Sequence, residues 1–153
     1  KIIIRDYEAS DLQDLERFVM GLQDYESKIE SDRLPGGQVF KKCTQEVLKL
    51  NKVFILEVDK KAVGFCSIHI DHDDELTSSI NEFVYLSDIY IDSEFRNQNL
   101  SKHLFAKVEE YAKSLNQKYL KLNVLYKNKI MRKVIGKQNY REHEVVYIKD
   151  LLS

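Results

Sequence analysis

Ile91-Asp92-Ser93-Glu94-Phe95-Arg96-Asn97-Gln98-Asn99-Leu100-Ser101 joins two segments of different period. Before it, residues 80–91 read as a long strand with apolar side chains on both faces. After it, Leu100, Leu104, Val108, Tyr111 and Leu115 trace one face of a helix. The first amides of a helix lack internal acceptors, so a turn between strand and helix can surround an anion. Arg96 adds a cationic fork there. Asn97 and Asn99 tolerate left-handed backbone better than most residues other than glycine, and Ser101 is small and donates a hydrogen bond. Asn97, Gln98, Asn99, Leu100 and Ser101 are therefore a candidate pyrophosphate turn built without glycine. An ordinary polar helix cap accounts for the same residues.

Downstream, residues 119–126 read as a strand running parallel to residues 80–91. Asn128 caps a short helix carrying Ile130, Met131, Val134 and Ile135, and residues 138–141 and 145–149 read as terminal strands. Upstream, Ile2, Ile3 and Ile4 open the chain as a strand. Ser10-Asp11-Leu12-Gln13 has capping-box spacing, ahead of a stripe of Leu12, Leu15, Val19 and Leu22. Residues 24–32 read as a loop or broken helix. Val39, Phe40, Cys43, Val47 and Leu50 mark a second helix. Residues 53–58 and 62–70 form a hairpin through Asp59-Lys60-Lys61, in which Gly64 marks a bulge or a close backbone approach, and residues 71–79 form a loop. No repeat or linker interrupts this order, which predicts one mixed α/β domain over residues 1–153.

With 24 basic and 25 acidic side chains and a net charge of -1, the chain lacks the basic excess of a nucleic-acid module, and 43% hydrophobic residues exclude disorder. The charge is nevertheless segregated. Residues 62–95 carry eight acids and no Lys or Arg, whereas residues 116–141 carry eight bases and no acid. Such a division can build a cleft with oppositely charged walls. Cys43 and Cys66 form no CxxC pair, and His69 and His72 lack a third ligand, so no metal site is expected. No apolar run is long enough for a membrane span and no export signal opens the chain, which predicts a cytoplasmic protein without membrane contact.

Arg96-Asn97-Gln98-Asn99-Leu100-Ser101 resembles Q/R-x-x-G-x-G/A, the acetyl-CoA-binding motif of the GCN5-related N-acetyltransferase (GNAT) superfamily. Asn99 and Ser101 stand where Gly and Gly/Ala are usual. The order of segments is similar to that family over nearly the whole chain. The resemblance implies the acyl-CoA N-acyltransferase fold: a central, twisted, mostly antiparallel sheet, one parallel strand pair splayed at the cofactor, and about four flanking helices. It implies that acetyl-CoA places its pyrophosphate on residues 96–101, and that its pantetheine arm lies along Ile89, Tyr90 and Ile91 and beside Asn128. Ile135 falls where many members carry a proton-donating Tyr, and Asn139 replaces the usual Gly before the aromatic Tyr140. Attack by an amine requires its neutral form, which makes Glu82 and Asp88 candidates for the base and Ser87 a candidate for positioning the acceptor. The expected reaction is transfer of acetyl from acetyl-CoA to a primary amine in a ternary complex. Asp71, Asp73, Asp74 and Glu75 favour a small cationic acceptor, with a protein amine and a homodimer left open. The alternatives are an impaired acyl-CoA-binding or regulatory protein and an interaction module without coenzyme.

Overall fold

Side chains along Val53-Phe54-Ile55-Leu56 go alternately to two separate apolar clusters, which fixes a sheet covered on both sides. The computed structural model describes residues 1–152. Strand β1 (Ile2–Asp6) is followed by helices α1 (Leu12–Ile29) and α2 (Gly36–Leu50), then strands β2 (Lys52–Val58), β3 (Lys61–His72) and β4 (Glu82–Ile91). Helix α3 (Ser101–Ser114), strand β5 (Leu120–Lys121) and helix α4 (Lys129–Lys137) complete the order. The sheet runs β1-β2-β3-β4-β5, antiparallel except for the parallel pair β4 and β5. Leu15, Phe18 and Val19 of α1 and Val47 of α2 meet Val53, Ile55 and Phe65 on one face. Leu104, Phe105 and Val108 of α3 meet Phe54, Leu56, Ile68 and Leu86 on the other. The mixed α/β architecture and the single parallel pair agree with the expected fold.

Several boundaries differ from the sequence reading. Helix α1 continues through residues 24–29, where no Gly or Pro interrupts it and Asp, Glu, Lys, Ser and Tyr are all compatible with helix. The capping box lies between Glu8 and Asp11 rather than at Ser10: Asp11 accepts the Glu8 amide at 2.8 Å and is clamped by Arg5, with both carboxylate oxygens 2.8 Å from its guanidinium. Leu12 consequently falls outside the buried stripe. Strand β3 extends to His72, and β4 starts at Glu82 rather than Ile80. The strand expected over residues 119–126 shrinks to Leu120–Lys121. Residues 138–141 and 145–149 form no strands, for they pair with no neighbour among the described residues.

Both readings of Gly64 hold. The register slips between Leu56 and Glu57, leaving Val63 without an opposite residue. A Cβ on Gly64 would sit 2.5 Å from the Tyr90 carbonyl oxygen, so β3 and β4 approach closely where β4 ends.

Candidate active site

Pairing between β4 and β5 stops at Tyr85 and Lys121, whereas β4 continues for six more residues to Ile91. One edge of Leu86 to Ile91 is thereby left open, including Ile89, Tyr90 and Ile91. Buried or partly buried backbone groups require partners, so this edge can accept an amide-bearing ligand. The edge leads into the 91–101 turn. Asn97 and Asn99 have φ of 63° and 58°, and Asn139 has φ of 67°. No glycine among the described residues has positive φ. Asn therefore supplies the left-handed backbone at each position where the family motif favours Gly, apart from Ser101, which opens α3. The amides of residues 97–101 have no backbone acceptor among the described residues, while Leu100 is buried beneath them.

Arg96 is held from two directions. Its Nε donates to the Ile91 carbonyl at 2.8 Å, and its guanidinium lies 5.2 Å from the Tyr90 ring centroid and 5.7 Å from that of Tyr25. These contacts hold the guanidinium beside the turn.

A second irregularity in β4 shapes the opposite side. Ser67 pairs with Asp88 and Ile68 with Leu86, so Ser87 is bulged out of the ladder. Ordinary alternation would send Ser87 and Asp88 to opposite faces; the bulge turns both toward α1 and α2. Ser87 Oγ donates to Asn51 Oδ1 at 2.8 Å and lies 3.1 Å from His69 Nδ1. Asn51 donates through Nδ2 to the Val47 carbonyl, which fixes Oδ1 toward Ser87 and His69. Asp88 accepts from Ser67 Oγ at 2.7 Å. Burial raises the Asp88 carboxyl above the usual range, against the opposing effect of that bond. Burial also raises Glu26 of α1, with a further upward push from Asp88, while Arg33 opposes it. Cys43 of α2 is raised by burial and by the same Asp88 charge. Asp88 and Glu26 are the two acidic groups of this recess under α1 and α2.

Glu82 is not brought into this recess. It is exposed at the start of β4, six residues or about 20 Å along the strand from Asp88. Gln117 at 2.5 Å and His72 at 3.1 Å hydrogen-bond its carboxylate and hold it below the usual range. Asn128 is buried at the start of α4, where its Oδ1 accepts from the Met131 amide at 3.1 Å. Tyr25 Oη stands 3.5 Å from that same Oδ1, so α1 spans from Arg96 to the start of α4. Ile135 is partly buried against the α3-side core with Met131 and Val134. Tyr140 does not offer a phenol to the cleft: its ring packs at 6.0 Å from Phe105, its hydroxyl is buried without a partner among the described residues, and burial pushes it up to about 12.

The sequence singles out neither Tyr25 nor Glu26, since residues 24–32 read as a loop or broken helix. The signal existed in the spacing Leu15, Val19, Leu22, Glu26, which continues the buried face by one turn. The charge segregation is less complete in space than along the chain. Lys121 pairs with Asp73, Lys127 lies 3.4 Å from Glu30, and Arg132 lies 3.3 Å from Glu142.

A sequence model of the acetyltransferase (GNAT) family matches residues 19–140. The fold is similar to a tetramutant of the BH1408 protein from Bacillus halodurans, with a TM-score of 0.85 and 18% identity over 97% of this chain and 99% of that one. It is similar to the aminoglycoside N-acetyltransferase AAC(6')-Iy in complex with CoA, with a TM-score of 0.73 and 20% identity over 100% and 96%. A predicted acetyltransferase from Clostridium acetobutylicum with acetyl-CoA gives 0.74 and 18% over 99% and 97%. No curated protein sequence gives a significant match.

Proposed function

This chain belongs to the acetyltransferase (GNAT) family, and from that premise we propose that it transfers acetyl from acetyl-CoA to a primary amine bound in the anionic recess. The observation that carries the proposal is the open β4 edge over Leu86 to Ile91, continuous with five amides that lack backbone acceptors. Peptide-like groups of a pantetheine arm match the backbone of Ile89, Tyr90 and Ile91, and Asn128 flanks the same path. Arg96 and the amides of Asn97, Gln98, Asn99, Leu100 and Ser101 match a pyrophosphate in charge and hydrogen-bonding capacity. Acetyl-CoA supplies an activated acyl carbon and a thiolate leaving group.

Asp88 is assigned as the base. Its carboxylate shares the recess in which a cationic amine is stabilised, and its raised affinity for protons suits it to remove one from the nitrogen before attack. Ser87 has its proton directed to Asn51, which leaves an oxygen lone pair able to accept from the acceptor N–H. Glu26 supplies negative charge beside Asp88. A small cationic amine is the substrate class this recess favours. AAC(6')-Iy acts on aminoglycosides by its name, and polyamino molecules of that kind belong in the first screen.

The test is calorimetric titration with acetyl-CoA, then thiol release with chemically diverse amines and mass analysis of the product. Arg96→Ala should weaken acetyl-CoA binding by roughly 10-fold to 100-fold, since a hydrogen bond to a charged group contributes about 1.5–3 kcal/mol. Equal affinities would remove Arg96 from the site. A second reading, a coenzyme-binding protein with impaired transfer, draws on Ile135, an apolar side chain packed against the core that has no proton to give a leaving thiolate. Binding without amine-dependent thiol release would favour it. Ile135→Tyr should lower stability by about 1–3 kcal/mol through overpacking and leave single-turnover transfer no faster. Chemical denaturation and rapid quench measure the two effects, and a stable, faster variant would refute this placement of the side chain.

A further inference from the structure

Asn51 at the end of α2, His69 on β3 and the bulged Ser87 of β4 bring three polar side chains together, and their hydrogens follow from the geometry. Asn51 Nδ2 donates to the Val47 carbonyl at 3.1 Å, so turning the amide over would point oxygen at oxygen. Asn51 Oδ1 therefore faces His69 Nδ1 at 2.9 Å and Ser87 Oγ at 2.8 Å. An amide oxygen only accepts, and each of these neighbours must donate to it. His69 accordingly carries a hydrogen on Nδ1, and the single hydrogen of Ser87 is engaged by Asn51.

A competing arrangement puts the imidazole hydrogen on Nε2, toward Asp71, and lets Ser87 donate to Nδ1 across 3.1 Å. It leaves lone pairs of Asn51 and His69 opposed at 2.9 Å. The Asp71 oxygen gained in return stands 3.7 Å from Nε2, beyond a normal hydrogen bond. The first arrangement is favoured, and it leaves Ser87 Oγ able to offer the recess a lone pair but no hydrogen.

This matters for the hydrogens of the acceptor nitrogen. A primary ammonium carries three. One passes to Asp88 before attack. The nitrogen lone pair then forms the N–C bond, the C–S bond breaks, and its electron pair leaves with the thiolate. A second hydrogen departs as a proton when the amide forms, while the third stays on nitrogen into the product. Ser87 can accept from that third N–H at every stage. A secondary amine has no hydrogen that survives into its amide.

We propose that Asn51 and His69 are positioning residues: they fix Ser87 as a hydrogen-bond acceptor and thereby select primary amines over secondary ones. The selection rests on the acetyl transfer proposed above, whereas the hydrogen placement is a property of the free protein.

Nitrogen-15 spectra of the histidine side chains in the full chain, at about pH 8.5 where an ordinary histidine is neutral, should show the His69 hydrogen on Nδ1. Asn51→Leu should move it to Nε2, because Ser87 then donates to Nδ1. Neither spectrum needs a substrate. Thiol release then gives kcat/KM for a primary amine and its N-methyl counterpart, and the intact protein should prefer the first. Asn51→Leu and His69→Leu each leave the Ser87 hydroxyl one acceptor and should keep that preference within about twofold. Together they leave none, and the preference should fall roughly 3-fold to 10-fold, the usual worth of one hydrogen bond. A ratio of two substrates on one protein is insensitive to a lower folded fraction. A hydrogen on Nε2 in the intact protein, no preference for the primary amine, or an undiminished preference in the double variant would each overturn the inference. Absence of thiol release with every amine would overturn acetyl transfer and the selection with it, and the spectra would still decide the hydrogen placement.

Discussion

Asp88→Asn is expected to slow acetyl transfer by roughly 10²-fold to 10⁴-fold, the usual worth of a positioned acid or base. The same substitution should leave the fold at least as stable at neutral pH. Asp88 is raised by burial, so its favourable linkage contribution is present below the unfolded carboxylate pKa and lost as pH rises through the folded value. An ionised Asp88 is a buried charge that Asn lacks, while Asn Oδ1 can still accept from Ser67. Transfer by the intact protein should fall as pH drops through that raised value, because a protonated carboxyl cannot take another proton. Single-turnover rates across pH and urea denaturation of both proteins measure these effects. A folded Asp88→Asn protein with an unchanged rate would remove Asp88 as the base, whereas one that unfolds would assign it a structural role.

A large stability effect away from the recess is expected for Gly64→Ala. The added carbon would lie 2.5 Å from the Tyr90 carbonyl oxygen and 3.2 Å from the Ile91 Cα, both backbone atoms that cannot rotate away. Overpacking of this type costs about 2–3 kcal/mol, or roughly 4–12 °C in Tm for a domain of this size. The strain falls on Tyr90 and Ile91, two of the three β4 residues proposed to meet pantetheine, so acetyl-CoA affinity should fall with stability. Gly37→Ala is the control. Nothing lies within 4 Å of its added carbon, and alanine in place of a helical glycine is neutral or favourable. Thermal unfolding and calorimetry on both variants measure the difference; equal melting temperatures would contradict the close approach.

The change of period across residues 91–101 was legible because it is local: strand pattern, polar turn and helical stripe lie within a short distance along the chain. The ability of Asn97 and Asn99 to take left-handed backbone was legible for the same reason, and both have positive φ. The bulge at Ser87 carried no local signal. Its register depends on how β3 pairs with β4, and Tyr85-Leu86-Ser87-Asp88 reads equally well as regular strand. The Asn51, His69 and Ser87 contacts likewise join residues that only the fold brings together. The polarity of residues 24–29 hides the last turns of α1 from the sequence, although the periodicity continues through Glu26. The 145–149 segment has strand composition, but composition alone does not supply the paired edge a strand needs.

Using Asn where a turn could have used Gly also changes the thermodynamics of occupancy. Glycine samples more backbone states before folding than any other residue, so Asn97, Asn99 and Asn139 leave less chain entropy to be lost when these segments become ordered. The amides of residues 97–101 are thus arranged largely by folding itself, and the phosphate proposed to bind there would have little ordering left to impose. Association should be governed more by enthalpy and less by an entropic penalty than in a glycine-built turn of the same shape. The corresponding cost is adaptability, since a stiff cradle adjusts poorly to anions of different size.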